Sequence, residues 1–326
     1  MQLFKKTNID FLGKRYIFIW VSLILNVLGI ALPFTLGLRF GIDFEGGTEV
    51  RMHFSQDINV AAVREAMDKA KFEGSEIKSL SDPKEVLIRV ATVHGVEPRE
   101  VPQKIQTALH AEFPEQTTEI RSSQTIGPKV GTELRNKALF AVGLAVIAIM
   151  LYLAFRFEFT YGLGAAIALI HDVLVTLAII AIVSNLGLIN LEINQAMIAA
   201  FLTVVGFSVN DTVIIFDRIR ENIEKHKGMN LIQLMNLSIN ETLSRTVNTV
   251  FAVVLVLLTI VIAGGEVLQG FAFTMLIGIV TGTYSSIYIA SGFVIWYMQH
   301  VNKIDVEGGN KKAMEKAARK LDARGA

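Results

Sequence analysis

The sequence predicts an α-helical polytopic membrane protein with six transmembrane helices and one α+β domain inserted between helices 1 and 2. Three observations lead there. The 326 residues are 52% hydrophobic and only 19% charged, with a mean hydropathy of +0.48, more apolar and less charged than an ordinary soluble domain. Six apolar runs are long enough to cross about 30 Å of hydrocarbon at about 1.5 Å per helical residue. One polar stretch of about 95 residues separates the first run from the second, too long to be a mere loop.

The six runs lie near Tyr16 to Leu38, Ala138 to Phe155, Tyr161 to Ser184, Gln195 to Phe216, Thr246 to Ala263 and Gly270 to Met298. The first follows Lys5, Lys6, Lys14 and Arg15, exceeds a signal-peptide core and lacks a small-residue cleavage pattern, so it reads as an uncleaved anchor. Short loops set the orientation through Lys and Arg. With the N-terminus inside, the cytoplasmic segments carry Arg156, then Arg218, Arg220, Lys225, Lys227 and Arg245, then a tail with Lys303, Lys311, Lys312, Lys316, Arg319, Lys320 and Arg324. The outer loops Asn185 to Asn194 and Gly264 to Gln269 carry neither Lys nor Arg. Both termini are therefore expected in the cytoplasm. The expected units are residues 1–39 (N-terminus and helix 1), 40–136 (external domain), 137–300 (helices 2 to 6) and 301–326 (basic tail).

Within 40–136, TEVRMHF puts Val50, Met52 and Phe54 on one strand face and Glu49, Arg51 and His53 on the other. NVAAVREAMDKA spaces Val60, Val63 and Met67 as a helix that Asp57 or Asn59 caps. SEIKSL and EVLIRV flank the turn signal SDPK and predict a hairpin. A second helix after Pro98 turns Val101, Ile105, Leu109 and Phe113 inward, and TTEIRSS reads as a last strand. Strand, helix, strand, strand, helix, strand is the split pattern of a ferredoxin-like domain. Its ends carry Gly41, Gly46, Gly47, Gly127 and Gly131, candidates for a hinge because glycine absorbs φ changes.

Several chemistries are missing. The chain contains no cysteine, which excludes a disulfide framework, a thiol nucleophile and a Cys-ligated zinc site. It holds no phosphate-binding glycine loop, no HExxH pair and no basic aromatic surface for nucleic acid. His53, His94 and His110 are scattered and read as ordinary surface or satisfied histidines rather than metal ligands. No cofactor is expected.

The chemical evidence then rests on polar groups inside the spans, where an ionisable side chain costs roughly 2.5–3.5 kcal/mol at the helix centre. Asp172 lies mid-span beside His171, Asp211 lies about six residues from the cytoplasmic end of span four, and Arg245 enters span five from that same side. These positions suggest a polar seam between spans four and five, where Asn210, Asp211 and Thr212 meet Arg245, Asn248 and Thr249. Such a seam suits a proton path: a carboxyl that desolvation neutralises and an approaching arginine recharges. Against this stand plainer readings, with Asn248 and Thr249 as helix-packing polar groups and Arg245 as a snorkelling anchor. An intramembrane aspartyl protease would need Asp172 and Asp211 to share a proton across about 3 Å, but their expected depths differ by roughly 7 Å.

GIDFEGGTEV after the first span, TIGPKVG before the second, ALIHDV in the third, and GFSVNDTVIIFDRIREN followed by SRTVNTV resemble, in order and spacing, the SecF family of bacterial protein-export accessory subunits. That resemblance implies membership of the resistance, nodulation and division superfamily. It implies a SecD partner supplying a second six-span half, action with the SecYEG channel, and use of the proton gradient to pull or hold a secretory polypeptide late in export across the inner membrane. It puts the family's membrane carboxylate on Asp211 and its arginine on Arg245, with Asp172 on the His-Asp pattern. Membrane lipids are the remaining expected partner, and no covalent reaction is implied. A proton-driven small-molecule exporter of the same superfamily is the alternative; such exporters usually carry two six-span halves in one chain, and this chain carries one.

Overall fold

The computed structural model describes residues 7–72, 74–80, 82–92, 97–187, 189, 191–226 and 228–306. His94, Lys5, Lys6, Lys227 and the basic tail from residue 307 onward, with Lys311, Lys312, Lys316, Arg319, Lys320 and Arg324, lie outside them. A single turn of 3₁₀ helix (Leu12–Lys14) leads into α1 (Arg15–Thr35). A short helix α2 (Ile42–Glu45) then precedes β1 (Gly47–Phe54), α3 (Val60–Lys69), β2 (Glu76–Ser79), β3 (Glu85–Ala91), α4 (Val101–Glu112) and β4 (Thr118–Ile126). The rest is helical: α5 (Pro128–Arg156), α6 (Phe159–Asn185), α7 (Gln195–Lys225), α8 (Leu231–Ala263), α9 (Gly265–Ser285) and α10 (Ser291–His300), the last two joined without a break by a π-helical turn, Ser286–Ala290.

The four strands form one antiparallel sheet in the order β2-β3-β1-β4. Period-two alternation explains it: Val50, Met52, Phe54, Ile77, Val86, Ile88 and Val90 pack beneath Val63 and Met67 of α3 and Val101, Ile105 and Leu109 of α4. Asn59 caps α3 by accepting from the Ala61 amide at 2.8 Å. The opposite sheet face is ionic and turns toward the long helices.

Six helical segments are long and apolar enough to cross a membrane, and the chain is a multi-pass membrane protein. α6, α7 and α9 form the centre of the bundle, while α1, α5 and α8 leave broad apolar faces open, with Ile24, Phe34, Phe140, Phe155 and Ile262 all exposed. Small residues let the central helices approach. Gly278 and Gly282 on α9 face Val204 and Ser208 on α7, and a Cβ added to Gly278 would lie 2.4 Å from a Val204 methyl. Gly29 of α1 likewise abuts the Leu174 carbonyl of α6.

At the end of the bundle away from the α+β domain, two helices outrun their apolar stretches. Span four, expected to end at Phe216, continues to Lys225, and span five, expected from Thr246, begins at Leu231 capped by Asn230. The overhang is a charged hairpin held by Arg218 to Glu241 (2.7 Å) and Asn222 to Ser238 (3.0 Å). Backbone hydrogen bonding carries a helix past the membrane wherever side chains outside it find polar partners. The N-terminal segment docks on the same hairpin, Ile9 exchanging two 2.8 Å hydrogen bonds with the Asn240 amide.

At the other end of the bundle the five expected hinge glycines divide. Gly46 adopts φ +83°, and both its position and that of Gly131 are crowded: a Cβ on Gly46 would meet the Pro128 backbone at 2.8 Å, and one on Gly131 the Gly46 amide at 2.9 Å. The two glycine motifs are seated in each other, so close backbone approach rather than free rotation explains these glycines. Gly41 and Gly127 have ordinary extended backbones. Gly41 is also bound, its amide donating to the Ile193 carbonyl at 3.0 Å. α5 starts at Pro128 and runs unbroken through the expected domain limit at residue 136.

Candidate functional site

Asp172 sits at the midpoint of α6, 13 residues from each end, and is 1% exposed. One oxygen of its carboxyl accepts from Ser208 of α7 at 2.5 Å and from Ser285 of α9 at 2.8 Å. The other lies 3.1 Å from Nδ1 of His171. A hydroxyl donates to a carboxylate and, by rotating, accepts from a carboxylic acid, so this shell serves either form. His171 Nε2 is buried with no hydrogen-bond partner among the described residues, and the ring lies tilted on Tyr284 with centroids 5.9 Å apart. The Tyr284 hydroxyl reaches α1, donating to the Phe18 carbonyl and meeting Ser22, both at 2.9 Å.

One turn along α7, Thr212 meets Ser286 of the π turn at 2.9 Å and donates to the Ser208 carbonyl at 3.1 Å. The pairs Gly278 with Val204, Gly282 with Ser208 and Ser286 with Thr212 repeat every four residues on two parallel helices, which aligns the hydroxyls in a file. The π turn widens the helix where this file ends, and Ser291 uses it to donate to the Ser286 carbonyl five residues back at 3.1 Å.

Asp211 lies three residues beyond Ser208, roughly 4.5 Å further from the α+β domain along the α7 axis. It is 8% exposed, and among the described residues its one hydroxyl partner, Thr283 of α9, stands 3.5 Å away, at the outer limit of a hydrogen bond. Arg245 lies close enough to act electrostatically on Asp211, but no ion pair joins them within 4.0 Å among the described residues. Arg245, Asn210 and Thr249 are exposed, and Asn248 is half-buried; Thr249 donates to the Arg245 carbonyl of its own helix at 3.0 Å.

Of the residues singled out in the sequence, the structure brings Asp172 and Thr212 into one buried network, leaves Asp211 loosely held beside it, and opens Asn210, Arg245 and Thr249 to the surface. The two carboxyls contact different hydroxyls at different depths and share no hydrogen bond among the described residues. The seam expected between spans four and five also differs, because span six lies against both: α9 supplies Thr283 and Ser285, and the π turn that follows it supplies Ser286. Sequence reasoning started from the ionisable groups in the spans and the polar residues beside Asp211 and Arg245, and passed over these hydroxyls and Ser208. The signal available was the density of Gly, Ser and Thr in TGTYSSIYIASG, residues 281–292.

A carboxyl at mid-bundle, a second one a turn away and an arginine on the adjoining helix lie among membrane-crossing helices, so the polar groups the bundle gathers are between helices rather than in a surface cleft. Residues 105–300 match the family model described as protein export membrane protein SecD/SecF, C-terminal, and residues 31–58 match the SecD/SecF GG motif. The chain belongs to the SecD/SecF family. It is 40% identical over 290 residues to the protein translocase subunit SecF of Calditerrivibrio nitroreducens, covering 88% of this chain and 93% of that one. Against the subunit of the same name from Helicobacter pylori strain 26695, it is 37% identical over 326 residues, covering 97% and 96%. The crystal structure of SecDF, a translocon-associated membrane protein from Thermus thermophilus, superposes with a TM-score of 0.75 at 33% identity over 90% of this chain. The match spans 39% of that longer chain.

Proposed function

We propose that this chain is the SecF-type half of a proton-coupled accessory complex that promotes late steps of polypeptide export through the Sec channel. The observation that carries the reading is the polar face left open on membrane-crossing helices: Asn210, Arg245 and Thr249 are exposed beside an almost buried Asp211. Polar groups facing hydrocarbon are costly, so that face calls for a second helical half, and a longer structural relative, of which this chain matches 39%, is named SecDF. A SecD-type partner would cover Asp211 and confine its proton exchange to the interface. Arg245, now outside ion-pair distance, would close on Asp211 in one stage of a cycle and withdraw in another. Asn210, Thr212, Asn248, Thr249 and Asp172 would line or brace the path.

On this reading the chain performs conformational work and catalyses no covalent reaction. Residues 40–136 form the external unit, ferredoxin-like in its strand order, on the outer side of the bacterial inner membrane. Both termini lie inside, and SecYEG and the exported polypeptide are its working partners. The test is Asp211→Asn in the assembled complex, with preprotein transport into inverted membrane vesicles measured with and without a proton gradient. The variant should assemble normally and lose the gradient-dependent part of transport. Undiminished gradient stimulation would overturn the assignment.

A further inference from the structure

The sheet face that turns toward the bundle carries a buried ionic row. Glu49 of β1, Arg89 of β3 and Glu76 of β2 stand side by side in register. Arg89 holds Glu49 at 2.5 Å and Glu76 at 3.4 Å, and Lys78 holds the other Glu76 oxygen at 2.6 Å. Glu192, from the loop between α6 and α7, enters from the bundle side. It hydrogen-bonds the Glu76 carboxyl and comes within 3.8 Å of the same Arg89 nitrogen. Only 7% of the Glu76 side chain and 16% of that of Glu192 is exposed. Both carboxyls line a cavity of about 520 Å³ together with Arg39 and Arg64. Nearby, Ser79 meets Glu266 of α9 at 3.2 Å.

Three carboxyls thus face two enclosed cations. Two hydrogen-bonded carboxyls need a proton between them, because two carboxylates offer acceptors only, and one proton in the row makes its charges balance. We propose that Glu76 and Glu192 form a proton-dependent clasp between the α+β domain and the helix bundle, closed when the pair shares a proton and loosened when both carboxyls are charged.

The local electrostatics agree. Burial, and next the hydrogen bond and charge of Glu76, push Glu192 up to about 8 against the pull of Lys78 and Arg89. Burial opposes ionisation of Glu76, yet the hydrogen bond from Glu192 and the charges of Lys78 and Arg89 hold it below its ordinary value. The proton therefore resides on Glu192. Its affinity is raised in the closed form, so the clasp's full strength is present below the free carboxyl value of about 4.3 and is lost as pH rises through the closed-form value, up to tenfold per unit. That an acid outer compartment favours closure rests on the outside placement proposed above; the clasp itself does not.

The test uses the full chain in lipid nanodiscs, which has no native cysteine to interfere. Spin labels go on exposed Ala61→Cys in α3 and Leu186→Cys in the bundle loop, and distance distributions are recorded from about pH 5 to pH 9. The ratio of the short-distance to the long-distance population should fall up to about tenfold per pH unit until near pH 8 and then level off. Glu192→Gln, permanently neutral and able to donate, should hold the short distance throughout. Glu76→Gln, which leaves Glu192 facing two cations alone, should move the transition to lower pH. Distances that ignore pH in the parent chain, or a pH response unchanged by Glu192→Gln, would overturn the proposal, and neither outcome bears on whether the chain assists export.

Discussion

Gly278→Ala probes the contact that brings the hydroxyls of α7 and α9 within reach of Asp172. The added Cβ would lie 2.4 and 2.5 Å from the two Val204 methyls and 3.0 Å from the Val204 Cβ, where ordinary contact begins at 3.4 Å. Valine is stiff about χ1, so relief requires the helices to part by about 1 Å, an overpacking penalty of about 1–3 kcal/mol. Against this, alanine gains about 1 kcal/mol over glycine in helix propensity. Gly206→Ala on α7 supplies the reference, because nothing lies within 4 Å of its added Cβ. Subtracting the two cancels the propensity gain and leaves overpacking alone, so Gly278→Ala should be less stable than Gly206→Ala by about 1–3 kcal/mol. Reversible unfolding of the purified chain in mixed micelles, titrated with denaturing detergent, reads the difference. Adding Val204→Ala to Gly278→Ala vacates the space and should return about 0.5–3 kcal/mol as coupling. Equal stability of the two single variants, or strict additivity in the double, would refute the packing argument.

Gly46→Ala combines a residue at φ +83° with a Cβ against the Pro128 backbone, and should cost about 2 kcal/mol or more. Because the obstacle is backbone, trimming neighbouring side chains should not rescue it, as thermal unfolding of the double variants would check. For Arg245→Lys, an anchoring role needs only a long cation, and gradient-driven transport should then persist. A role as partner of Asp211 needs a fork that grips a carboxylate with two hydrogen bonds. The expected outcome is loss of most gradient-dependent transport at unchanged protein level in the same vesicle assay.

The α+β domain was legible because strand alternation and helix spacing are local. Val50, Met52 and Phe54 read as one buried face in the sequence and are one in the structure. Of the two caps offered for α3, Asn59 is used; the sequence left it level with Asp57, since both lie within reach of the first turn. The spans were legible as apolar runs, but their ends were not, because the Arg218–Glu241 and Asn222–Ser238 contacts that carry α7 and α8 past the membrane join residues 23 and 16 apart. The site was the least legible part. Asp211, Arg245 and Asp172 stand out as costly charges, yet which helix faces them depends on bundle packing. Thr283, Ser285 and Ser286 come from a third helix 70 and more residues further along, and hydroxyls in an apolar helix carry no charge to draw notice. The interlocked glycines mislead in a related way: Gly46 and Gly131 invite a reading as flexible joints until the backbone each one admits is known.

The roots of the α+β domain carry a mechanical consequence. β1 leaves α2 at Gly47 and β4 enters α5 after Ile126, and those two residues are paired in the sheet. Both tethers therefore lie side by side on a line that crosses the strand ends, and Glu76, in register with Arg89 and Glu49, lies two residues beyond that line, about 7 Å from it. A body tied along one line swings like a door. A swing of about 20° would displace Glu76 by about 2.3 Å, enough to separate any hydrogen-bonded pair, and would carry the far end of the eight-residue β1, about 23 Å from its root, through about 8 Å. A bond broken near the pivot thus yields a stroke three to four times longer at the tip, so even a small rearrangement of the bundle would be amplified where the domain meets solvent.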